Sequence, residues 1–239
     1  MHKKINTDII GTALLDYQSG NFSENITTFS SVAGKDLMEL SWLFRTYDEM
    51  PLIEQTALQL CEGLVLDVGC GAGGHTLYLQ ENSFKVKAID ISKGAVETCI
   101  ERGIKNVEVQ NILNLENEKY DTILALMNGT GLCGKLDNLE KFLLHLKSLL
   151  TKKGQILIDS SNILYMYKDD FGDIVVPDSN NYYGEVVFQL SYKDLFSDKF
   201  DWLFVDFNKL QDHSRKIGLH CEMVKEGYHH DYLARLTIL

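Results

Sequence analysis

Ten residues, LDVGCGAGGH at 66–75, carry four glycines directly after an apolar run. Gly69, Gly71 and Gly74 satisfy the spacing G-x-G-x-x-G, and Gly69, Gly71 and Gly73 satisfy G-x-G-x-G. Either way the missing Cβ atoms allow a tight strand-to-helix turn and let a ligand lie against bare backbone, while the helix N-terminus that follows offers partial positive charge. The glycines alone leave two ligand classes open. Asp67, two positions before Gly69, separates them. A carboxylate there repels the doubly charged pyrophosphate of a dinucleotide. It suits a ligand carrying an ammonium and a sulfonium, reached directly or through water.

S-adenosylmethionine carries both groups, and its own carboxylate can face the helix N-terminus and the loop amides. VLDVGCGAG resembles motif I of the class I S-adenosylmethionine-dependent methyltransferases: an acid, any residue, then G-x-G-x-G. The resemblance implies that Asp67, Gly69, Cys70, Gly71 and Gly73 border the cofactor. It also implies that Asp90, which ends VKAID 21 residues after Gly69, binds both ribose hydroxyls. In NVEVQNI the family commonly places an Asp near the adenine amine; Asn111 stands there, and its carbonyl can still accept from that amine. Ile91 and Ile112 would sandwich the adenine or serve as ordinary core. YDTILALMNGTG resembles the fourth strand and its exit loop, so Met127 and Asn128 would border the methionine moiety and the acceptor. The implied reaction is in-line methyl transfer to an O, N, S or C nucleophile, leaving S-adenosylhomocysteine and needing no metal. The resemblance spans roughly residues 63–160; residues 1–60 and 163–206 match no motif.

These residues must be positioned by alternating strands and helices. From residue 64 short apolar runs alternate with amphipathic stretches, the rhythm of a parallel sheet with crossover helices. In the helix at 137–150, Leu139, Phe142, Leu143, Leu146, Leu149 and Leu150 recur at spacings of three and four, giving one face for the sheet. LHCEMVKE and YHHDYLARLTIL, parted by Gly227, read as a closing antiparallel hairpin. The predicted fold class is α/β: a Rossmann-like seven-stranded sheet with helices on both faces and only the last strand antiparallel. An N-terminal helical cap at 1–62 precedes the methyltransferase domain at 63–239, and a β-hairpin is inserted at about 165–206. Within the cap, GKDLMELSWLFRTYDEM and PLIEQTALQLCEG read as helices, with Pro51 at a helix start.

Arg45 is the one cation in a long apolar and acidic stretch. Two roles fit it: a partner for the cofactor's carboxylate beneath a folded cap, or a surface ion pair with Asp48 or Glu49. The carboxyl ends of the strands form the ligand rim of an open α/β sheet, which gathers Gly69, Asp90, Asn128, Asp159 and the turn EGYHHD. His229 and His230 are thus candidate bases, since imidazole titrates near neutrality, or histidines exposed on a turn. Tyr165, Tyr167, Phe171, Tyr182, Tyr183, Phe188, Tyr192 and Trp202 could wall an acceptor pocket or pack as core.

With 34 acidic and 23 basic side chains the net charge is −11, and no basic run offsets it, so a nucleic-acid partner is not expected. Five scattered cysteines without a CxxC pair fit reduced thiols in a cytoplasm. No secretion signal and no membrane span is expected. The acceptor is expected to be a small molecule; the sequence leaves the oligomeric state open. Two other classes compete: a non-catalytic nucleotide-binding module, which motif I alone does not exclude, and a nicotinamide-dependent oxidoreductase, which Asp67 and the terminal hairpin oppose.

Overall fold

The computed structural model describes residues 4–5, 8–169, 171–176 and 181–239. Residues 1–3 and 6–7 of the expected cap, and 170 and 177–180 of the expected insertion, Pro177 among them, lie outside the described residues. The core is a seven-stranded sheet in the order β12-β13-β8-β7-β4-β5-β6. Its strands are β4 (Leu64–Val68), β5 (Lys85–Asp90), β6 (Val107–Val109), β7 (Tyr120–Ala125), β8 (Leu150–Ser161), β12 (Leu219–Glu226) and β13 (Asp231–Ile238). β4 to β8 are mutually parallel. β13 runs antiparallel to both β8 and β12, so the last strand alone opposes the rest, as the sequence predicts.

Period-two alternation sends neighbouring residues to opposite faces. Leu66, Ile123 and Ile156 join Phe142, Leu143 and Leu146 of helix α6 (Leu139–Ser148) and Leu210 of α7 (Phe207–Lys216) on one face. Val65, Leu124 and Leu157 join Ile53, Ala57 and Leu58 of α3 (Leu52–Gln59) and Leu79 of α4 (Gly74–Glu81) on the other. Both faces are covered, which is why β4 and β7 read as near-continuous apolar runs. Strand order reverses at β4, flanked by β5 and β7, and that switch point opens a crevice at the strands' carboxyl ends.

A second sheet of six strands contains β1 (Lys4–Ile5), β10 (Leu195–Phe196), β9 (Glu185–Tyr192), β2 (Ile26–Ser30) and β3 (Gly34–Met38), with β11 (Phe200–Leu203) also pairing β9. The insertion thus holds the antiparallel pair β9–β11, with Phe200 opposite Phe188. The N-terminal segment departs from a helical cap. Where the apolar spacing predicts one helix over 34–50, the chain makes β3, then α2 (Leu40–Leu43) and a 3-10 turn at Tyr47–Glu49. Gly34, at φ +72°, closes a hairpin with β2, and β2 in turn pairs with β9, so ladder bonds from distant sequence override the local helical pattern. Pro51 does precede α3, as expected.

Helix α1 (Ile9–Gln18) packs on α5 (Lys93–Glu101) where two glycines meet: a Cβ on Gly94 would lie 2.4 Å from the carbonyl carbon of Gly11. Asp8 caps both helices, accepting from Gly11 N at 3.0 Å and Gly94 N at 3.0 Å. Ile9 and Leu14 of α1, Ile26 of β2 and Leu190 and Tyr192 of β9 then cluster with Ala72 of the glycine loop and Ala95 of α5. The second sheet is in this way docked over the carboxyl edge of the first.

Candidate active site

The glycine loop leaves β4 with Gly69, Gly71 and Gly73 at φ +73°, +54° and +80°, conformations that L side chains rarely adopt. Their reasons differ. A Cβ on Gly73 would strike Ile104 Cδ1 at 2.2 Å and Cys99 Sγ at 2.9 Å, so this glycine serves packing. A Cβ on Gly71 would meet nothing within 4 Å, and one on Gly69 only Leu132 at 4.0 Å, so these two face open space. Asp90 ties the loop to α5: Oδ2 accepts from Gly71 N at 2.9 Å and Oδ1 from Ser92 N at 2.9 Å. Burial raises its pKa against those two bonds. Asp67 is buried, accepts from Thr76 Oγ1 at 2.5 Å, and is likewise raised by burial.

Beneath the loop Arg45 Nη2 donates to both carboxylate oxygens of Glu54, and Nη1 donates to Trp42 O. Neither surface partner expected from the sequence holds it: Glu49 closes a capping box on Thr46. The reason is that Pro51 starts α3 and turns Glu54 inward, onto the helix face that also carries Ala57 and Leu58. Glu54 Oε2 lies 2.6 Å from His75 Nε2. Burial works against the charged forms of both, yet the hydrogen bond and mutual charges prevail and hold Glu54 below, and His75 above, its ordinary value. Arg45, Asp67, Gly69, Cys70, Gly71, Gly74, His75 and Met127 line one narrow pocket, with Leu43, Met50, Ala72 and Leu126.

A methyltransferase-domain family model matches residues 62–218. The chain belongs to that family. The crystal structure of an S-adenosylmethionine-dependent methyltransferase from Bacteroides fragilis in complex with S-adenosyl-L-homocysteine is 42% identical, with a TM-score of 0.90 over 97% of this chain and 95% of that one. A curated relative from Methanococcus vannielii, named "Probable cobalt-precorrin-6B C(15)-methyltransferase (decarboxylating)", is 36% identical over 72 residues, 30% of this chain and 38% of the relative. A ubiquinone biosynthesis O-methyltransferase of Rickettsia bellii is 33% identical over 104 residues, 41% of this chain and 42% of the relative. The chain thus spans about two fifths of the length of the curated relatives it matches. By family it is an S-adenosylmethionine-dependent methyltransferase.

The methyltransferase's remaining candidates divide. Met127 lines the pocket, and Met127 and Asn128 both take positive φ, +65° and +63°, a strained turn at the end of β7. The Asn128 side chain is engaged structurally, donating to Leu203 O at 3.0 Å and accepting from Ser160 Oγ at 3.0 Å. Ile91, 73% exposed, stands open at the rim, whereas Ile112 is buried among Leu66, Val68 and Ile89 as core. Asn111 Oδ1 accepts from Leu113 N at 2.9 Å and caps a 3-10 turn.

His229 and His230 are exposed on the β12–β13 turn. His230 stacks on Tyr165 at 4.6 Å between ring centroids and borders a cleft of about 420 Å³ with Asn162, Asp206 and Tyr228. β13 is two strand positions from β7 and three from β4, so at ~4.8 Å per strand the turn lies roughly 10 Å along the rim from the loop after β7 and roughly 14 Å from the glycine loop. Of the aromatic residues, Tyr192 is core and Phe171 is 93% exposed. Trp202 lies flat on Gly131, where a Cβ would come within 2.0 Å of the indole. Sequence reasoning missed Glu54 and His75. Asp159, which the sequence puts on the rim, is buried; it accepts from Gly129 N at 2.9 Å while burial pushes its pKa up to about 6.

Proposed function

We propose that the protein transfers a methyl group from S-adenosylmethionine to a small-molecule acceptor enclosed between the strand-end rim and the second sheet. In this reading Gly69 and Gly71 give the cofactor bare backbone, Asp90 takes the ribose hydroxyls, and Asn111 and Ile91 border the adenine. Asp67 serves the ammonium. Arg45, whose buried Nε has no acceptor of its own, receives the carboxylate. The fit rests on the pocket that Arg45, Asp67, Gly69 and Gly71 share, where the two glycines face open space and Arg45 Nε is unpaired.

The observation that carries the small-molecule reading is the docked second sheet. Ala72 of the glycine loop is covered by α1, β2 and β9, and Trp202 of β11 seals Gly131 in the loop after β7. A covered rim suits an acceptor that enters whole, and the net charge of −11 disfavours a phosphate backbone. The curated relatives' names describe O- and C-methyl transfer, so an oxygen or carbon nucleophile is the first choice for screening. Among the described residues no helix is long and apolar enough to cross a membrane. Five buried free cysteines support a reducing, cytoplasmic setting.

The acceptor's electron pair, a lone pair on oxygen or the π pair of an electron-rich carbon, would attack the methyl carbon as the carbon–sulfur bond breaks and its pair returns to sulfur, leaving the thioether of S-adenosylhomocysteine, and the proton the acceptor loses passes to water. The donor is already activated, so alignment in a covered site supplies most of the rate, an effect worth up to ~7–11 kcal/mol in favourable systems. His230, set well along the rim, is assigned to the distal wall of the acceptor space. Calorimetry with S-adenosylmethionine, S-adenosylhomocysteine, NAD and NADP tests the cofactor: the first two should bind and the dinucleotides should not. An acceptor screen follows, and methylation of tRNA, DNA or a folded protein with no activity on metabolites overturns the small-molecule reading.

A further inference from the structure

Arg45, Glu54 and His75 form a buried chain that a cofactor pocket does not by itself require. A lone Arg–Glu pair is neutral, so the carboxylate would cancel the guanidinium and leave little attraction for a ligand anion. The geometry supplies a second cationic partner. His75 Nε2 stands 2.6 Å from the same Glu54 carboxylate that Arg45 engages. Arg45 Nε is at the same time buried without an acceptor, although Nη1 and Nη2 are both paired. An unmet buried donor on a charged group is costly, and here it borders the pocket that Gly69, Gly71 and Asp67 share.

We propose that Glu54 and His75 are positioning residues that hold Arg45 as the receptor for the carboxylate of the cofactor's methionyl end, with His75 supplying the countercharge that keeps the three-residue unit net positive. The proposal rests on the cofactor reading above. Each member comes from a different element: Arg45 from the segment after α2, Glu54 from the first turn of α3, and His75 from the first turn of α4. The charged groups around His75 are Glu54, Arg45, Asp67 of β4 and, farther off, Asp159 of β8. Burial disfavours the imidazolium, but Glu54 and Asp67 outweigh burial and Arg45 together, so His75 titrates above its usual range. Asp67 lines the same pocket as Arg45, and the two charges match the zwitterionic end of the methionyl group, carboxylate to Arg45 and ammonium to Asp67.

The test compares S-adenosylhomocysteine with 5′-methylthioadenosine, which keeps the adenosine and thioether but lacks the amino-acid end. Calorimetric affinities are measured on the full chain for wild type, His75→Asn, Arg45→Gln and the double variant His75→Asn/Glu54→Gln. In His75→Asn, Glu54 cancels Arg45, so S-adenosylhomocysteine should weaken roughly tenfold to a hundredfold, the loss of one charge-assisted bond, while methylthioadenosine stays within about twofold. Adding Glu54→Gln removes the uncompensated carboxylate and should recover part of that loss. Arg45→Gln should reproduce the selective loss and serves as the deciding variant if His75→Asn misfolds. Equal weakening of both ligands, or unchanged S-adenosylhomocysteine affinity in a folded His75→Asn or in Arg45→Gln, overturns the proposal. If wild type binds neither ligand, the cofactor reading falls and this proposal with it.

Discussion

Gly71→Ala and Gly73→Ala separate the two uses of glycine in the loop. Both positions lie at positive φ, +54° and +80°, where an alanine costs about 1–2 kcal/mol of backbone strain. At Gly71 the new methyl meets no protein atom within 4 Å, so strain is the whole stability cost. At ~2–4 °C per kcal/mol for a chain of this size, melting should fall by roughly 2–8 °C. The methyl does occupy the open side of the loop, and a ligand seated on bare backbone would be displaced by it. At Gly73 the methyl would overlap Ile104 Cδ1 at 2.2 Å and Cys99 Sγ at 2.9 Å, adding about 1–3 kcal/mol of overpacking. Its methyl points into the cluster of Cys70, Ala88, Cys99 and Ile104, away from the ligand side. Urea denaturation and calorimetry with S-adenosylhomocysteine should therefore give opposite rankings: Gly71→Ala loses more affinity, Gly73→Ala more stability. Wild-type affinity in Gly71→Ala would refute the cradle argument outright.

Asp159 has a folded pKa of about 6 against an ordinary 3.8 because burial disfavours its charge, so its presence lowers stability as pH rises from about 4 through 6. Asp159→Asn keeps an acceptor for Gly129 N and should gain up to about 3 kcal/mol at pH 8 and almost nothing at pH 4; a gain that does not depend on pH would contradict the assignment. Gly94→Ala puts a methyl 2.4 Å from the Gly11 backbone, so α1 must move off α5; limited proteolysis should then cut the N-terminal segment while the core resists, and wild-type resistance would show that the contact is not needed. His230→Ala should raise the acceptor KM while kcat changes less than tenfold and cofactor affinity is constant, because the turn is far from the glycine loop; a kcat loss of 10²–10⁴-fold, the scale of a general base, would return His230 to the chemistry.

What the sequence made legible was local. The glycine loop is ten consecutive residues, and its acid, its three positive-φ glycines and the spacing to Asp90 are set by one strand, one turn, one helix and the next strand. The last strand's reversal followed from two apolar runs with a short break between them. The second sheet was not legible as a sheet, because β2 pairs Thr27 with Ser191 and Phe29 with Gln189, partners that no periodicity in residues 26–38 records. Arg45 stands out in the sequence, yet along the chain its nearest acidic neighbours are Asp48 and Glu49. A signal for the true partner did exist. Glu54 sits on α3 with Ala57 three and Leu58 four residues on, so the helix carries a carboxylate on its apolar face. A charge in that position must be matched by another buried charge or be neutralised, and the cation stranded in the apolar stretch nine residues earlier was available. His75 is the member that sequence could least supply. It follows directly on a glycine run that already has a sufficient explanation, and its bond to Glu54 spans 21 residues between the first turns of two helices, an arrangement that only the packing of α3 and α4 against one face of the sheet creates.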